Sequence, residues 1–293
     1  MTSAAFDVLG IGNAIVDVIT RAHMEDDAAK TTHTERGVSL VDYNRSGSPL
    51  VEIVTGPDFQ SPAEARSFLT EMRTIMRTIG VSEADMEKGH MRCDANISLR
   101  RMNDDGTLID HTFNPKVEVK NINSIKNVER ALQYEIARQT TLFESGTPPM
   151  TNETRGWNDA RGTTEPQRSK ESAHDYRYFP EPDLPPLALA AIRDSIILPE
   201  LPQEKRERFQ HEYGVSAVDA RTLVDEPGAA TYFEQTMSEL RAWIETSENV
   251  EGTPEERWVA QGNVLGKLAA GWLLSKLWGM MIPAGITMKT LRI

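Results

Sequence analysis

Strand-like alternation of apolar residues stops for good near Pro199, and that change limits what the chain can fold into. Upstream, apolar and polar residues alternate in short runs with the two-residue period of strands. Downstream the strands stop, and Gly214, the Glu226-Pro227-Gly228 break and Thr253-Pro254 punctuate helices near 202–213, 217–225, 229–248 and 254–280. The expected fold is α+β: a mixed or antiparallel sheet with packed helices over residues 21–198, then an all-helical part over 199–293.

Several upstream elements carry their own boundaries. Ser61 as N-cap, Pro62 at the first helical position and Glu64 closing a capping box predict a helix over 61–79 that ends at Gly80. Residues 91–100 read as one half-buried strand with Met91, Cys93, Ala95, Ile97 and Leu99 inward. Lys116–Ile122 resumes the sheet with Val117 and Val119 inward, leaving Glu118 and Lys120 as an ion pair on the other face. Ser124 caps a second helix to Ser145, closed by Gly146, and 153–168 reads as a hairpin turning at Asp159–Gly162 with Trp157 as a buried anchor. The proline run from Pro180 to Pro202 predicts an extended segment without regular structure.

The densest chemistry lies between His23 and Asp58. HMEDDAAK packs His23, Glu25, Asp26, Asp27 and Lys30 into eight residues. VDYNRSGSPLVEIVTGPD then sets a Gly-Ser-Pro turn before Leu50-Val51-Glu52-Ile53-Val54, a strand with one carboxylate among four aliphatics. Such a carboxylate is expensive to bury without a cation, and hard divalent ions take oxygen ligands of this kind. One reading is therefore a magnesium–nucleotide site on Glu52 and an acid from Glu25–Asp27. The other is a solvated acidic turn beside an edge-strand glutamate.

Composition removes several classes. A single cysteine, Cys93, excludes a disulfide framework and any CxxC zinc pair, so no zinc site is expected. A formal charge of −12 argues against broad non-specific nucleic-acid binding. Residues 264–282 are largely apolar but contain Lys267 and Lys276, and the run 5–20 lacks a basic leader, so a cytoplasmic chain is expected.

LVDYNRSGSPLVEIV resembles the signature segment of the GatB family, the B subunits of the aspartyl/glutamyl-tRNA(Asn/Gln) amidotransferases, and HMEDDAAK resembles the acidic segment just ahead of it. The likeness continues through MEKGHMRCDANISLR, KVEVKNINSIKNVERALQYEIARQ, ETRGWNDARG and RSKESAHDYRYFPEPDLPPL. It implies a glutamine-synthetase-like catalytic core and a ligase. That enzyme uses ATP and Mg2+ to activate the carboxylate of Asp-tRNA(Asn) or Glu-tRNA(Gln) for amidation by ammonia from a glutaminase partner. Subunits A and C would be its partners, in a heterotrimer. The resemblance further implies Glu25, Asp26 and Glu52 as the catalytic residues, with Asp26 and Glu52 as metal ligands and Glu25 bound to the metal directly or through one of its ligands. His23, Lys30, Asn44, Arg45, Lys120, Asn121, His174, Asp175 and Arg177 would contact ATP or substrate. Asp26 and Glu52 are then expected to approach within about 4–5 Å.

Residues 1–20 stand apart from that likeness. AFDVLGIGNAIVD resembles the opening strand of ribokinase-type sugar kinases, with Gly10, Gly12, Asn13 and Asp17 toward the sugar, which implies a chimeric leader. That family's late Gly-Ala-Gly-Asp anion hole has no counterpart here; Glu226-Pro227-Gly228-Ala229-Ala230 lacks the aspartate, which weighs against a sugar kinase. The amidotransferase resemblance also implies a helical domain cut before its tRNA-gripping tail and an absent N-terminal third with its Glu/His pair. A non-catalytic docking module is the remaining alternative. Of the basic cluster Lys205, Arg206 and Arg208, a solvated helix face is the expectation, with RNA contact as the other reading.

Overall fold

The computed structural model describes residues 5–8, 19–34, 37–103, 105, 107–110, 112–167, 188–247, 251–288 and 290–291. They divide into two compact units, residues 1–72 with 84–178, and residues 73–83 with 179–293. The first carries the strands and the second is helical, as the change of periodicity predicts.

The first unit is built on a four-stranded mixed sheet in the order β10 (Thr163–Pro166), β9 (Glu153–Asn158), β8 (Val117–Ile122), β6 (Cys93–Ile97). β8 and β9 run parallel and the other pairs antiparallel. Helix α2 (Ile125–Glu144) lies on this sheet. It starts where the sequence says it should: the Ser124 hydroxyl accepts from the Asn127 N–H at 3.1 Å, and Gly146 takes the left-handed φ of 73° that stops it. Val117, Val119, Ile97, Val128 and Trp157 meet in one core between sheet and helix. Helix α1 (Pro62–Thr78) packs Ala65 and Leu69 on the same core, and its capping box forms between Ser61 and Glu64.

A buried charge cluster pins α2 to the sheet. Glu135 is fully buried and accepts from Arg138 at 2.9 Å, from Arg155 of β9 at 3.2 Å and from the Thr164 hydroxyl of β10. With its lone pairs satisfied by two guanidinium groups and a hydroxyl, the carboxylate meets the condition under which a charge can be buried.

Among the described residues the unit also holds three two-stranded ribbons: β1 (Ala5–Val8) with β7 (Leu99–Met102), β2 (Ile19–Asp26) with β5 (Pro49–Thr55), and β3 (Lys30–His33) with β4 (Ser39–Asp42). All three are antiparallel. The run 91–100, expected as one strand, is therefore two. Ser98 breaks it: its side chain is buried and donates to the Asn114 carbonyl at 2.7 Å, and the chain after it pairs with β1 rather than with β8.

In the second unit, α3 (Leu189–Ser195) corrects one expectation, because it is a helix inside the proline run. Its seven residues fall between Pro186 and Pro199, where no proline interrupts the i to i−4 ladder. Helices α4 (Pro202–Tyr213), α5 (Ala217–Asp225), α6 (Ala229–Thr246) and α7 (Pro254–Trp272) fall close to the predicted spans. The last runs through a π-helical turn, Leu273–Leu277, into α8 (Trp278–Ala284). Phe209, Tyr213 and Phe233 form an aromatic cluster with centroids 5.1 to 5.7 Å apart. Gly266 is what lets α7 cross the end of α4, since a Cβ there would run into the Tyr213 carbonyl. Among the described residues no helix is long and apolar enough to cross a membrane.

Candidate functional site

The register of β2 against β5 decides which of the sequence-derived residues meet. His23 faces Glu52, Glu25 faces Leu50 and Asp26 faces Pro49. Because directly opposed residues share a face and neighbours alternate, Arg21, His23, Glu25 and Glu52 lie on one face and Asp26 on the other. The expected approach of Asp26 to Glu52 is not what this pairing gives: the two are three positions out of register and on opposite faces. Glu25 and Glu52 are diagonal neighbours, a separation of about 7–8 Å between backbones in such a pair. Arg21 holds Glu52 at 3.3 Å, with both side chains about half exposed.

The turns at the end of this ribbon are fastened by a residue whose sequence context assigned it no separate role. The Asp27 side chain, 10% exposed, meets Arg45 at 3.2 Å and Arg92 at 3.7 Å. Its backbone N–H donates to the Ser48 carbonyl and its carbonyl accepts from the Gly47 N–H, each at 2.9 Å. Arg45 also donates to the Ala28 carbonyl at 3.2 Å. Arg45 is thus a turn-fastening residue in this arrangement. Asn44 sits in the same turn, its N–H on Asp42 at 2.9 Å, and Lys30 opens β3 directly opposite Asp42. No spacing rule points to Arg92, which reaches Asp27 from 65 residues away.

Lys120 and Asn121, adjacent in sequence, are sent to different places. Between the pairs Cys93–Ile122 and Ala95–Val119, β8 takes three steps while β6 takes two, so β8 carries a bulge. Asn121 sits in it with φ of 61°, a left-handed conformation that asparagine tolerates better than most residues. Lys120 turns to Asp94 at 2.7 Å and Glu118 at 3.3 Å, the expected ion pair with a third member. Partial burial works against its charge, but hydrogen bonding and attraction from Asp94 and Glu118 outweigh it and raise the ammonium above its usual value.

Asn121 instead lines a cavity of about 350 Å³ with Gly156, Trp157, Asn158, Asp159, Glu165 and Gln167. Arg130 stacks over Trp157 at 5.6 Å and reaches Asp159 at 2.9 Å. Burial, followed by the neighbouring Asp94 charge, pushes the Cys93 thiol up to about 12, so this cysteine is a packing residue and no nucleophile. His174, Asp175 and Arg177 lie outside the described residues.

The acids on the β2–β5 ribbon do not by themselves compose a magnesium shell. Two carboxylates on one face supply part of an octahedron, one of them is engaged by Arg21, and Asp26 lies on the opposite face. Among the described residues no three His, Cys, Asp or Glu side chains gather as a metal group. The basic cluster of the helical unit is neither a solvated face nor an open cationic patch. Arg208 bonds Glu200 at 2.6 Å and Glu234 at 2.5 Å, Lys205 lies 3.3 Å from Glu234, and Arg206 meets Asp225 at 2.5 Å.

The first unit is a mixed α+β sheet with a charged two-stranded ribbon, and a helical unit follows it along the chain. Its sequence matches the GatB/GatE catalytic domain family over residues 10–193, and the chain belongs to that family. The match begins inside the first twenty residues, ahead of the acidic segment at His23. Among curated relatives, the aspartyl/glutamyl-tRNA(Asn/Gln) amidotransferase B subunit of Roseiflexus castenholzii is 48% identical over 226 residues, 76% of this chain and 45% of the relative. The protein of the same name from Roseiflexus sp. RS-1 is 49% identical over 229 residues, 76% of this chain and 45% of the relative. That from Dehalococcoides mccartyi is 44% identical over 276 residues, 91% of this chain and 51% of the relative. The chain spans about half the length of the curated relatives it matches.

Proposed function

We propose that this chain serves as the GatB component of a tRNA-dependent amidotransferase, a ligase of protein biosynthesis acting in the cytoplasm with subunits A and C. The supporting observation is identity of 48% with an amidotransferase B subunit over 226 residues, in a chain whose signature segment forms one strand of the β2–β5 ribbon. The reaction transfers the γ-phosphoryl group of ATP to the side-chain carboxylate of Asp-tRNA(Asn) or Glu-tRNA(Gln). Ammonia then attacks the acyl carbon and phosphate leaves, which yields the amide.

Phosphoryl transfer is mostly positioning and charge neutralisation. On this reading the face of the ribbon that carries His23, Glu25 and Glu52 is the working face. Magnesium, the ordinary cation of ATP chemistry, neutralises phosphate charge when bound. Lys30, at the start of β3, is the cation of the acidic segment available to an anionic substrate, while Arg45 and Asn44 shape the turn that sets the ribbon's register. We place residues 21–198 in the catalytic domain and 199–293 in the helical one. His174, Asp175 and Arg177 remain substrate contacts by proposal.

The test is ATP-dependent conversion of Glu-tRNA(Gln) to Gln-tRNA(Gln) by the full chain with subunits A and C. Conversion that disappears without ATP, and in Glu25→Gln, is the expected result. Conversion that persists in Glu25→Gln and Glu52→Gln alike would remove the ribbon from the chemistry.

A further inference from the structure

Helix α7 is apolar on two sides, and the described part of the helical unit covers only one of them. Gly262, Gly266 and Ala270 are buried on the inner side, where Ala270 joins the core of Phe209 and Phe233. On the outer side Val264, Leu268 and Trp272 follow one another at i, i+4 and i+8, a single stripe of an α-helix. They are 59%, 64% and 63% exposed. A helix that is apolar all round belongs in an interior, so the outer stripe is short of a partner. Gly271 stands beside it, and a Cβ there would meet no atom within 4 Å. Glycine weakens a helix interior, and here it leaves a notch of the kind a neighbouring helix fills with a side chain. The stripe runs into the π-helical turn Leu273–Leu277, a distortion frequent at functional sites.

The charge of this segment is opposite to that of the chain. From Arg257 to Ile293 the sequence holds the cations Arg257, Lys267, Lys276, Lys289 and Arg292 and no acid, within a chain of formal charge −12. Lys267 and Lys276, which stand before and after Trp272 along the helix, are exposed and have no ion-pair partner among the described residues. By contrast Lys205, Arg206, Arg208 and Arg241 of the same unit each hold a carboxylate. The outer face of α7 is thus complementary to an acidic surface. A second copy would bring the same two lysines to the contact, so like charge would meet like. An anionic bilayer would be repelled by the rest of the chain and has no use for the notch at Gly271.

We propose that the outer face of α7 docks an amphipathic helix of a partner protein, one whose apolar stripe is flanked by aspartate or glutamate. Leu268 and Trp272 are the apolar anchors, and Gly271 admits a side chain of the incoming helix. Lys267 and Lys276 pair with its acids at the rim, where charge sets orientation and encounter rate more than strength. The proposal does not depend on the amidotransferase reading; it adds a contact surface on the helical unit, away from the acidic segment of the first.

The test uses the full chain and a fluorescein-labelled peptide with leucines at i, i+3, i+4 and i+7 and glutamates beside them, read by anisotropy. A twin peptide carries lysine in place of glutamate. The acidic peptide is expected to bind about tenfold or more tighter than its twin, and Trp272→Ala to weaken it by about tenfold or more, the loss of an aromatic anchor. Trp272 and Leu268 are exposed, so neither Trp272→Ala nor Leu268→Glu should move the unfolding midpoint, which separates lost docking from lost folding. Lys267→Glu combined with Lys276→Glu should invert the preference between the two peptides. Absence of binding, equal binding of the twins, or binding that survives both Trp272→Ala and Leu268→Glu would overturn the proposal. A dimer in light scattering that Leu268→Glu dissociates would overturn it in favour of a second copy. Cosedimentation with phosphatidylserine vesicles that the same variant abolishes would overturn it in favour of a lipid surface.

Discussion

The β8–β9 sheet and the β2–β5 ribbon belong to one unit and are held by different physics. In β8 the burial alternates residue by residue, with Val117 and Val119 fully covered by α2, and register is set by what must be inside. In β3 and β4 every residue is exposed, in β2 only Ile19 and His23 are even half-buried, and β5 half-buries Leu50, Ile53, Val54 and Thr55 but fully buries none of its residues. Register there is set by turns and by Asp27. The most recognisable stretch of the sequence, VDYNRSGSPLVEIV, thus lies where packing asks least of it. A side chain that packing does not explain is better explained by chemistry. The sheet, conversely, shows how a packed element still makes a site: one bulge turned Asn121 away from the alternation and into a cavity.

This contrast accounts for what could be read in advance. Helix boundaries were legible because Ser61, Ser124, Gly80 and Gly146 act locally, within a turn of where they stand. The hairpin at Asp159–Gly162 was legible for the same reason. The split at Ser98 was not, because it depends on the Asn114 carbonyl sixteen residues on. The helix Leu189–Ser195 is not legible in the sequence because the prolines on either side mask the proline-free run between them. Within the site, the grouping of His23 with Glu52 needs the register of two strands about thirty residues apart, and a one-residue slip would have put Asp26 on the face of Glu52 and taken His23 off it. The bulge at Asn121 leaves no mark in the sequence beyond an asparagine, and Gly156, a glycine within a strand, was the one local hint of a close approach.

If the sheet is the part that stability rests on, its largest single loss should come from the buried charge cluster. Glu135→Ala leaves Arg138 and Arg155 without the carboxylate they share, and breaking a buried pair from one side costs about 3–5 kcal/mol. Urea unfolding of the variant measures this directly. A change below about 1 kcal/mol, the range of surface pairs, would mean that the cluster is wetter than its burial implies and would blur the contrast.

Asp27 is the ribbon residue that most resembles the sheet, being nearly covered and doubly paired. Its partners Arg45 and Arg92 are 43% and 63% exposed, so both can return to water when it is removed. Asp27→Ala should therefore destabilise the chain by about 1–2 kcal/mol, most of it the charged hydrogen bonds themselves. Hydrogen exchange gives the sharper reading: the Gly47 amide, which donates to the Asp27 carbonyl, should lose protection while the amides of β8 keep theirs. Equal loss in both places would show that ribbon and sheet open as one cooperative body.

The smallest stability change is expected where the functional change is largest. Glu52 faces His23 and is held by Arg21, with side chains 54% and 48% exposed for Arg21 and Glu52. An exposed pair of this kind is worth about 0–1 kcal/mol, because the charges are already well solvated and holding two long side chains together loses entropy. Glu52→Gln keeps the shape and the strand position and removes only the negative charge, so the unfolding midpoint should barely move. The same substitution removes one of the two carboxylates from the face proposed to meet ATP, and a site that works by neutralising and aligning phosphates is sensitive to each fixed charge. ATP-dependent amidation with subunits A and C should accordingly fall by about a hundredfold or more, in the range found when one preorganised electrostatic group is removed. A variant that is as stable and as active as the parent would show that Glu52 is a solvated edge residue, and the ribbon would lose its claim to be the chemical half of this pair of regions.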